Sequence, residues 1–342
     1  MRILTERPLN AETPVEALRS WVTPNSLFFH RNQSEMESAV SLEDWRLMIE
    51  GEVENPREFT FDEILRLPRA IAANTLECSG NGRSLLKEKA SGNPWTIGAV
   101  GNAVWCGVWL KEILQTSGLK KTAWHVAFEG MDEPLGSAKT KFIRSIPLEK
   151  AKNSTLLAYE MNGEPLPVPH GFPMRVLALG WTGASCCKWL KKIMVLEQPY
   201  EGHYMDKMYR IYQKGEDSKS GTVVRAIPMK TIITRPSSGE TLKPGRIIVL
   251  GAAYGGEADI AKVEVSVDEG RTWPRAEFIG PHEPFAWRQW QYLWEAKQGG
   301  TYRLMARATN AEGNRQPMNA RWNVLGYGNN GVEEHSVTVQ IL

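Results

Sequence analysis

The sequence predicts an α+β domain over residues 1–227 followed by an immunoglobulin-like β-sandwich over residues 228–342. Three observations lead there. The 342 residues exceed what one hydrophobic core usually organises. In the first two thirds of the chain, short strand-like and helix-like runs are intermixed without a regular β-α-β alternation. Beyond about residue 225 the chain changes to short alternating runs separated by Gly, Asp and Asn turns, the spacing of an antiparallel sandwich.

Taken in order, residues 1–40 read as irregular, and Trp45 to Gly51 read as a strand. Thr60 is placed to cap a short helix that ends before Pro68. GVWLKEILQTSG reads as a helix closed by Gly118, and TAWHVAFEG as a strand by its alternation. STLLAYEMNGEPLP fits either a short helix or an extended segment, broken at Asn162-Gly163. MRVLALGW and KWLKKIMVLE are strand candidates around a Gly-rich bend. In the second domain IIVLGAAYGG, AKVEVSVDEGRTW, QWQYLWEAK, TYRLMARATNAEG and SVTVQIL supply the sandwich strands, and RPSSGETLKPG its entry turn.

Composition narrows the function classes. With 42% apolar and 23% charged residues the chain is an ordinary globular protein. A formal charge of +2 argues against nucleic acid or a membrane surface as the main partner, so any functional positive charge must be local. The four cysteines, at 78, 106, 186 and 187, have no C-x-x-C or zinc spacing. Adjacent Cys186 and Cys187 read as reduced residues filling space rather than as a strained vicinal disulfide. No run approaches the ~18 apolar residues of a membrane span. MRILTERPLNAETPVEAL lacks a basic-then-apolar leader and a twin arginine. The expectation is a cytoplasmic protein, or a periplasmic one if the sequence is a trimmed mature form.

Four segments carry chemistry. In NTLECSGNGRS, Cys78 follows a strand-like approach, Gly80 and Gly82 permit a tight turn, and Arg83 follows. A thiolate beside a guanidinium suits metal ligation or nucleophilic attack, although the same loop would suit a packed cysteine equally well. Arg31 in FFHRNQ and Arg288 in FAWRQW each sit among aromatics. Singly, each fits a surface cation–π contact; converging with Arg83 on one thiolate, they would form a small-oxyanion pocket. HGFPMR and the bend after it place a His, an Arg and Lys188 in one segment, which suits a phosphate-bearing ligand or a solvated structural loop.

Taken together these segments resemble the sulfite oxidase family of mononuclear molybdenum enzymes, in haem-free bacterial or plant-like form, from about residue 27 to the C-terminus. FFHRNQ, TLECSGNGRS, NPWTIGAVGNAVWCGVWLKEIL, HVAFEGMD, SIPLEKA, LAYEMNGEPLP, HGFPMRV and KWLKKI occur in the family's order. The resemblance implies a mixed α+β molybdopterin-binding domain followed by an immunoglobulin-like dimerisation domain, hence a homodimer. It implies a single molybdenum bound by Cys78 together with the dithiolene of one molybdopterin. Arg31, Arg83 and Arg288 would bind the substrate oxyanion, Tyr159 would donate a hydrogen bond, and Trp95 would wall the pocket. Phe29, His30, Arg31, Asn32, Gln33, Asp132, His170, Arg175, Cys186, Cys187 and Lys188 would hold the pterin and its phosphate.

The activity so implied is oxidation of sulfite to sulfate by oxygen-atom transfer, with cofactor chemistry positioned by the protein. No C-x-x-C-H is present, so no haem is expected and electrons would pass to an external acceptor: a cytochrome, oxygen or another oxidant. Three departures from the family pattern fall in the pterin region. Gln33 replaces a usual His, Ser185-Cys186-Cys187 replaces Arg-His-Val of animal enzymes, and LALGW replaces Val-Pro-Gly wording. Related chemistries are nitrate reduction and sulfane dehydrogenation. Arg288 favours sulfite over nitrate, because the nitrate enzymes usually lack that arginine. A non-enzymatic binding scaffold is the alternative from another class.

Overall fold

The computed structural model describes residues 1–36, 40–135 and 140–342. Two five-stranded sheets organise the N-terminal part. In the first, Arg69–Glu77, Val100–Trp109 and Thr155–Met161 lie side by side, and Thr155–Met161 also pairs with Glu164–Pro165 and Arg175–Ala178. STLLAYEM, open to helix or strand from its pattern, is therefore a strand. Its end shows why: Asn162 and Gly163 both take positive φ (55° and 82°) and form a two-residue turn in which Met161 faces Glu164. Such a turn matches the twist of a β-hairpin.

The second sheet runs Arg57–Thr60, Arg46–Gly51, Leu190–Leu196, His125–Gly130, Ile143–Pro147. Leu190–Leu196 is parallel to Arg46–Gly51 and antiparallel to His125–Gly130. The helix Phe61–Leu65 starts with a capping box: Thr60 Oγ1 accepts from the Glu63 amide at 3.2 Å, and the Glu63 carboxylate accepts from the Thr60 amide at 2.8 Å. Leu110–Ser117 ends at Gly118 (φ 68°) and turns Leu110, Ile113 and Leu114 inward. They join Trp45, Val126 and Ile193 in the main core, where burying one such side chain contributes about 1.5–3 kcal/mol.

Residues 1–40 are not wholly irregular, because Arg2–Thr5 pairs with Asn10–Glu12. Polar groups rather than an apolar pattern close that turn. Asn10 Nδ2 donates to Thr5 Oγ1 (2.8 Å) and to Pro8 O (2.9 Å), so no hydrophobic period marks the ladder in sequence.

The C-terminal part is the expected sandwich. One sheet runs Lys230–Arg235, Gly245–Tyr254, Arg288–Ala296, Glu277–Ile279; the other runs Thr241–Leu242, Val337–Ile341, Gly300–Asn310, Ile260–Ser266. Val249, Val263, Trp290, Leu304 and Val339 fill its core. A separate cluster of Leu18, Val100, Ile232, Tyr254 and Trp287 joins it to the first part. At that junction Thr75 N donates to Phe285 O at 2.9 Å, and Trp287 N donates to Thr75 Oγ1 at 2.8 Å. The sandwich thus abuts the strand that leads into Cys78. Among the described residues no helix is long and apolar enough to cross a membrane.

Candidate active site

Cys78 sits where the strand Arg69–Glu77 leaves its sheet, 7% exposed, in the wall of a cleft of about 720 Å³. The turn after Cys78 requires its glycines. A Cβ on Gly80 would lie 2.3 Å from the Arg83 guanidinium, and Gly82 has a φ of 82°, where side chains are strained. Arg83 consequently folds back under the loop. Its Nη1 donates to Asn93 O (2.7 Å), its Nε donates to Leu325 O (2.9 Å), and its guanidinium lies 5.5 Å from the Tyr327 ring.

Arg31 reaches the same cleft from the N-terminal segment, donating to Asn10 Oδ1 at 3.2 Å and to Asn32 O. Burial works against its charge, but the attraction of Tyr209, Cys78 and Tyr327 outweighs burial and raises its pKa. Arg31 is therefore a permanent cation facing the thiol. Arg83 is pushed the other way, mainly by burial, with Cys78 opposing the fall and Arg31 adding to it. Across the cleft Tyr209 stacks on Tyr327 at 5.4 Å, and its hydroxyl accepts from Gln33 Nε2 at 2.9 Å. The Arg144 guanidinium lies over the other face of this aromatic wall, 4.9 Å from the Tyr209 ring.

The remainder of the cleft carries two basic side chains beside a neutral imidazole, since burial pushes His170 well below the usual histidine range. His170, Arg175 and Lys188 line it, with Asp132 as the nearby carboxylate. Burial lowers the Arg175 pKa to about 10, and burial together with Arg175 pushes Lys188 well down. Burial raises Asp132. Arg175 Nη1 donates to His170 O at 2.9 Å, but its buried Nε has no partner. Lys188 Nζ donates to Asn32 Oδ1 and, at 2.8 Å, to Pro169 O. A buried cation cluster with an orphaned donor is costly unless an anion joins it.

Of the residues expected from sequence, Phe29, Arg31, Asn32 and Gln33 line the cleft, as do Cys78, Asp132, His170, Arg175, Cys186 and Lys188. His30 stands one layer back, stacked on His170 with centroids 4.7 Å apart; burial, with Lys188, lowers its pKa to about 4. Arg83 also stands behind the wall, acting on Cys78 through its field. Four expectations are corrected. Tyr159 points into the main core, where it meets Phe61 edge-on and Cys106 Sγ lies 3.9 Å from its hydroxyl. Trp95 is fully buried in the cluster beneath the Cys78 loop rather than walling the cleft. Cys187 belongs to the main core, among Trp181, Leu190 and Ile193. Arg288 begins a sandwich strand, where it stacks 4.0 Å over Phe278 and borders a different, surface depression.

Sequence reasoning missed Tyr209, Phe142, Trp189 and Ser79, all of which line the cleft. Tyr209 and Trp189 share a signal, a positive φ (55° and 50°) that strains a bulky residue. Backbone strain of that kind is not written in residue type.

A molybdenum–pterin group fits these residues. Among the described residues no three His, Cys, Asp or Glu side chains gather as a metal cage, so a metal at Cys78 must bring other ligands with it. A thiolate is a soft donor suited to such a centre. The cation cluster, with the orphaned Arg175 Nε, suits the phosphate end of the pterin.

Comparison with known proteins agrees. Residues 34–204 match the family model "Oxidoreductase molybdopterin binding domain", and residues 222–341 match "Mo-co oxidoreductase dimerisation domain". Fold and site together therefore define a molybdopterin-binding oxidoreductase. The chain is 34% identical over 365 residues to mitochondrial sulfite oxidase of Rattus norvegicus, covering 100% of this chain and 66% of the rat protein. It is 32% identical to sulfite oxidase of Arabidopsis thaliana, covering 95% and 91%. The solved sulfane dehydrogenase SoxCD from Paracoccus pantotrophus superposes with a TM-score of 0.83 at 29% identity, over 99% of this chain and 89% of that one. The chain belongs to the sulfite oxidase family. It spans just under two thirds of the rat protein.

Proposed function

We propose that the protein oxidises sulfite to sulfate at a molybdenum–molybdopterin group ligated by Cys78, and passes the electrons to a separate external acceptor. The observation that carries this reading is the convergence, in one cleft, of the Cys78 thiol with Arg31, Arg175 and Lys188. When bound, the metal group supplies a two-electron redox change coupled to oxygen-atom transfer. In balance, sulfite and water give sulfate, two protons and two electrons.

The chain's own residues bind and orient. Arg31, with Arg83 behind it, draws an oxyanion toward Cys78 and holds its charge where water is largely excluded. Tyr209 accepts from Gln33, which leaves its own proton free to donate to a substrate oxygen. Phe29 and Trp189 shield the cleft. Arg175, Lys188 and His170 hold the pterin phosphate, with Asn32 fixing the lysine. The sandwich mediates a homodimer, as its family model's description suggests.

A second reading, sulfane dehydrogenation, is favoured by one observation. Arg288 borders a different depression, and the cleft is lined instead by the Tyr209 ring, which is backed by Tyr327. A less charged sulfur substrate would suit such a wall. Steady-state turnover of metal-quantified protein, with sulfite and with a sulfane-sulfur donor and with ferricyanide as oxidant, separates the two. A larger kcat/KM for sulfite supports the first reading, and a larger value for the sulfane donor overturns it.

A further inference from the structure

The Cys78 loop is held from below by a buried ion pair that joins the two parts of the chain. Glu77, the residue before Cys78, is 2% exposed, and Lys230, the first residue of the sandwich's first strand, is 1% exposed. One carboxylate oxygen of Glu77 accepts three hydrogen bonds: from Lys230 Nζ at 2.6 Å, from Asn81 Nδ2 at 2.8 Å and from Tyr254 OH at 3.0 Å. Lys230 and Tyr254 both come from the sandwich, and 153 residues separate Glu77 from Lys230.

Through Asn81 this acceptor reaches the cysteine. The Asn81 side-chain oxygen accepts from the Ala99 amide (3.0 Å), and the Asn81 amide donates to Cys78 O (2.9 Å). The Cys78 amide in turn donates to Ala99 O (2.9 Å). Both backbone polar groups of Cys78 are thus satisfied within a ring that closes on Asn81, and Asn81 is oriented by Glu77. The sandwich adds further ties: Gly328 N donates to Ser79 O (2.9 Å), and Asn329 Nδ2 donates to Gly82 O (2.7 Å).

A buried ion pair is poor evidence of stabilisation, because apolar residues of similar volume often serve as well or better. Groups just outside a metal's ligands matter for another reason, since they orient the ligand and tune the metal. We infer that the Glu77–Lys230 pair is a positioning device through which the C-terminal sandwich sets the geometry of the Cys78 ligand. This inference rests on Cys78 being the molybdenum ligand. Lys230 and Glu77 touch neither substrate nor metal; they act through Asn81.

The test compares two double variants with the wild-type holoenzyme. Glu77→Met/Lys230→Met removes the acceptor while leaving no unpaired charge, so it still folds, but the buried Tyr254 hydroxyl loses its acceptor and the unfolding midpoint falls modestly below wild type. Glu77→Gln/Lys230→Met keeps a neutral acceptor for Asn81 and Tyr254. In the Met/Met variant the Mo(V) electron paramagnetic resonance signature shifts. Its kcat falls about tenfold or more while KM stays within about twofold, the scale seen when a metal ligand loses its supporting partner. In its cofactor-free form the Cys78 and Asn81 amides exchange hydrogen faster than in wild type. The Gln/Met variant retains the wild-type signature. A folded, molybdenum-replete Met/Met variant with wild-type signature, kcat and amide exchange overturns the positioning role and leaves the reading of Cys78 intact. Absence of molybdenum from the wild-type protein overturns both.

Discussion

Arg31→Met removes a cation that lines the same cleft as Cys78. The Arg31 guanidinium is held by Asn10 Oδ1 at 3.2 Å and by Asn32 O, and as a guanidinium it stays protonated despite its burial. Neither of its partners is a carboxylate, so its charge is left for an incoming oxyanion. Hydrogen bonds to charged groups contribute about 1.5–3 kcal/mol net. At ~1.4 kcal/mol per factor of ten, that becomes a loss of about ten- to one-hundred-fold in kcat/KM for sulfite. Arg31→Lys keeps the charge but not the planar fork and loses less. The assay is steady-state sulfite oxidation with ferricyanide, normalised to bound molybdenum. A variant with full molybdenum content and kcat/KM within twofold of wild type would refute the reasoning, because Arg83, the other arginine whose field reaches Cys78, does not line the cleft.

Other perturbations discriminate among neighbouring residues. Arg288→Met leaves sulfite kinetics within about twofold and costs about 0.5–2 kcal/mol for the half-buried cation–π contact with Phe278; a large rise in KM would return Arg288 to the site. Tyr209→Phe deletes a donor and the partner of Gln33 Nε2, so kcat falls by about two- to tenfold, the reach of one neutral hydrogen bond of 0.5–1.5 kcal/mol; unchanged kcat argues that the hydroxyl only packs. Arg175→Met lowers pterin content per chain, measured by fluorescence of the released, oxidised pterin, and full occupancy would contradict the phosphate assignment. Burial depresses His30 to about 4 and His335 to about 3, below the ~6.5 of an unfolded histidine. The unfolded chain therefore binds more protons, so the stability these groups contribute is present above pH ~6.5 and is lost as pH falls toward 4. Thermal unfolding of the cofactor-free protein from pH 7 to pH 4 checks this, and a midpoint that does not fall contradicts it.

The parts of the site that could be read from sequence are local. Cys78, Gly80 and Gly82 lie in one turn, and His170, Arg175 and Lys188 lie within one short segment, so composition and spacing were enough to mark them. The parts that could not be read depend on register or on distant convergence. Tyr159 and Tyr209 are chemically the same residue. Only the pairing of Thr155–Met161 with its neighbours turns the first into the core, and only a left-handed backbone turns the second into the cleft. Arg288 looked like a pocket arginine between tryptophans. Its pairing opposite Ala253 fixes it to the sandwich instead. The Glu77–Lys230 pair had no signature, because each residue alone is an ordinary charge in a strand-like run. The fold was legible to a similar depth: the sandwich by its alternation, the helix Leu110–Ser117 by its glycine stop, but not the polar-closed ladder at the N-terminus.

The central claim is that the Cys78 sulfur is bound to molybdenum. X-ray absorption at the molybdenum edge, on wild type and on Cys78→Ser loaded in the same host, tests it directly. The account predicts one sulfur neighbour fewer around molybdenum in the variant, with pterin still bound through Arg175 and Lys188 and sulfite oxidation abolished. An unchanged sulfur count in a molybdenum-replete Cys78→Ser protein would contradict it.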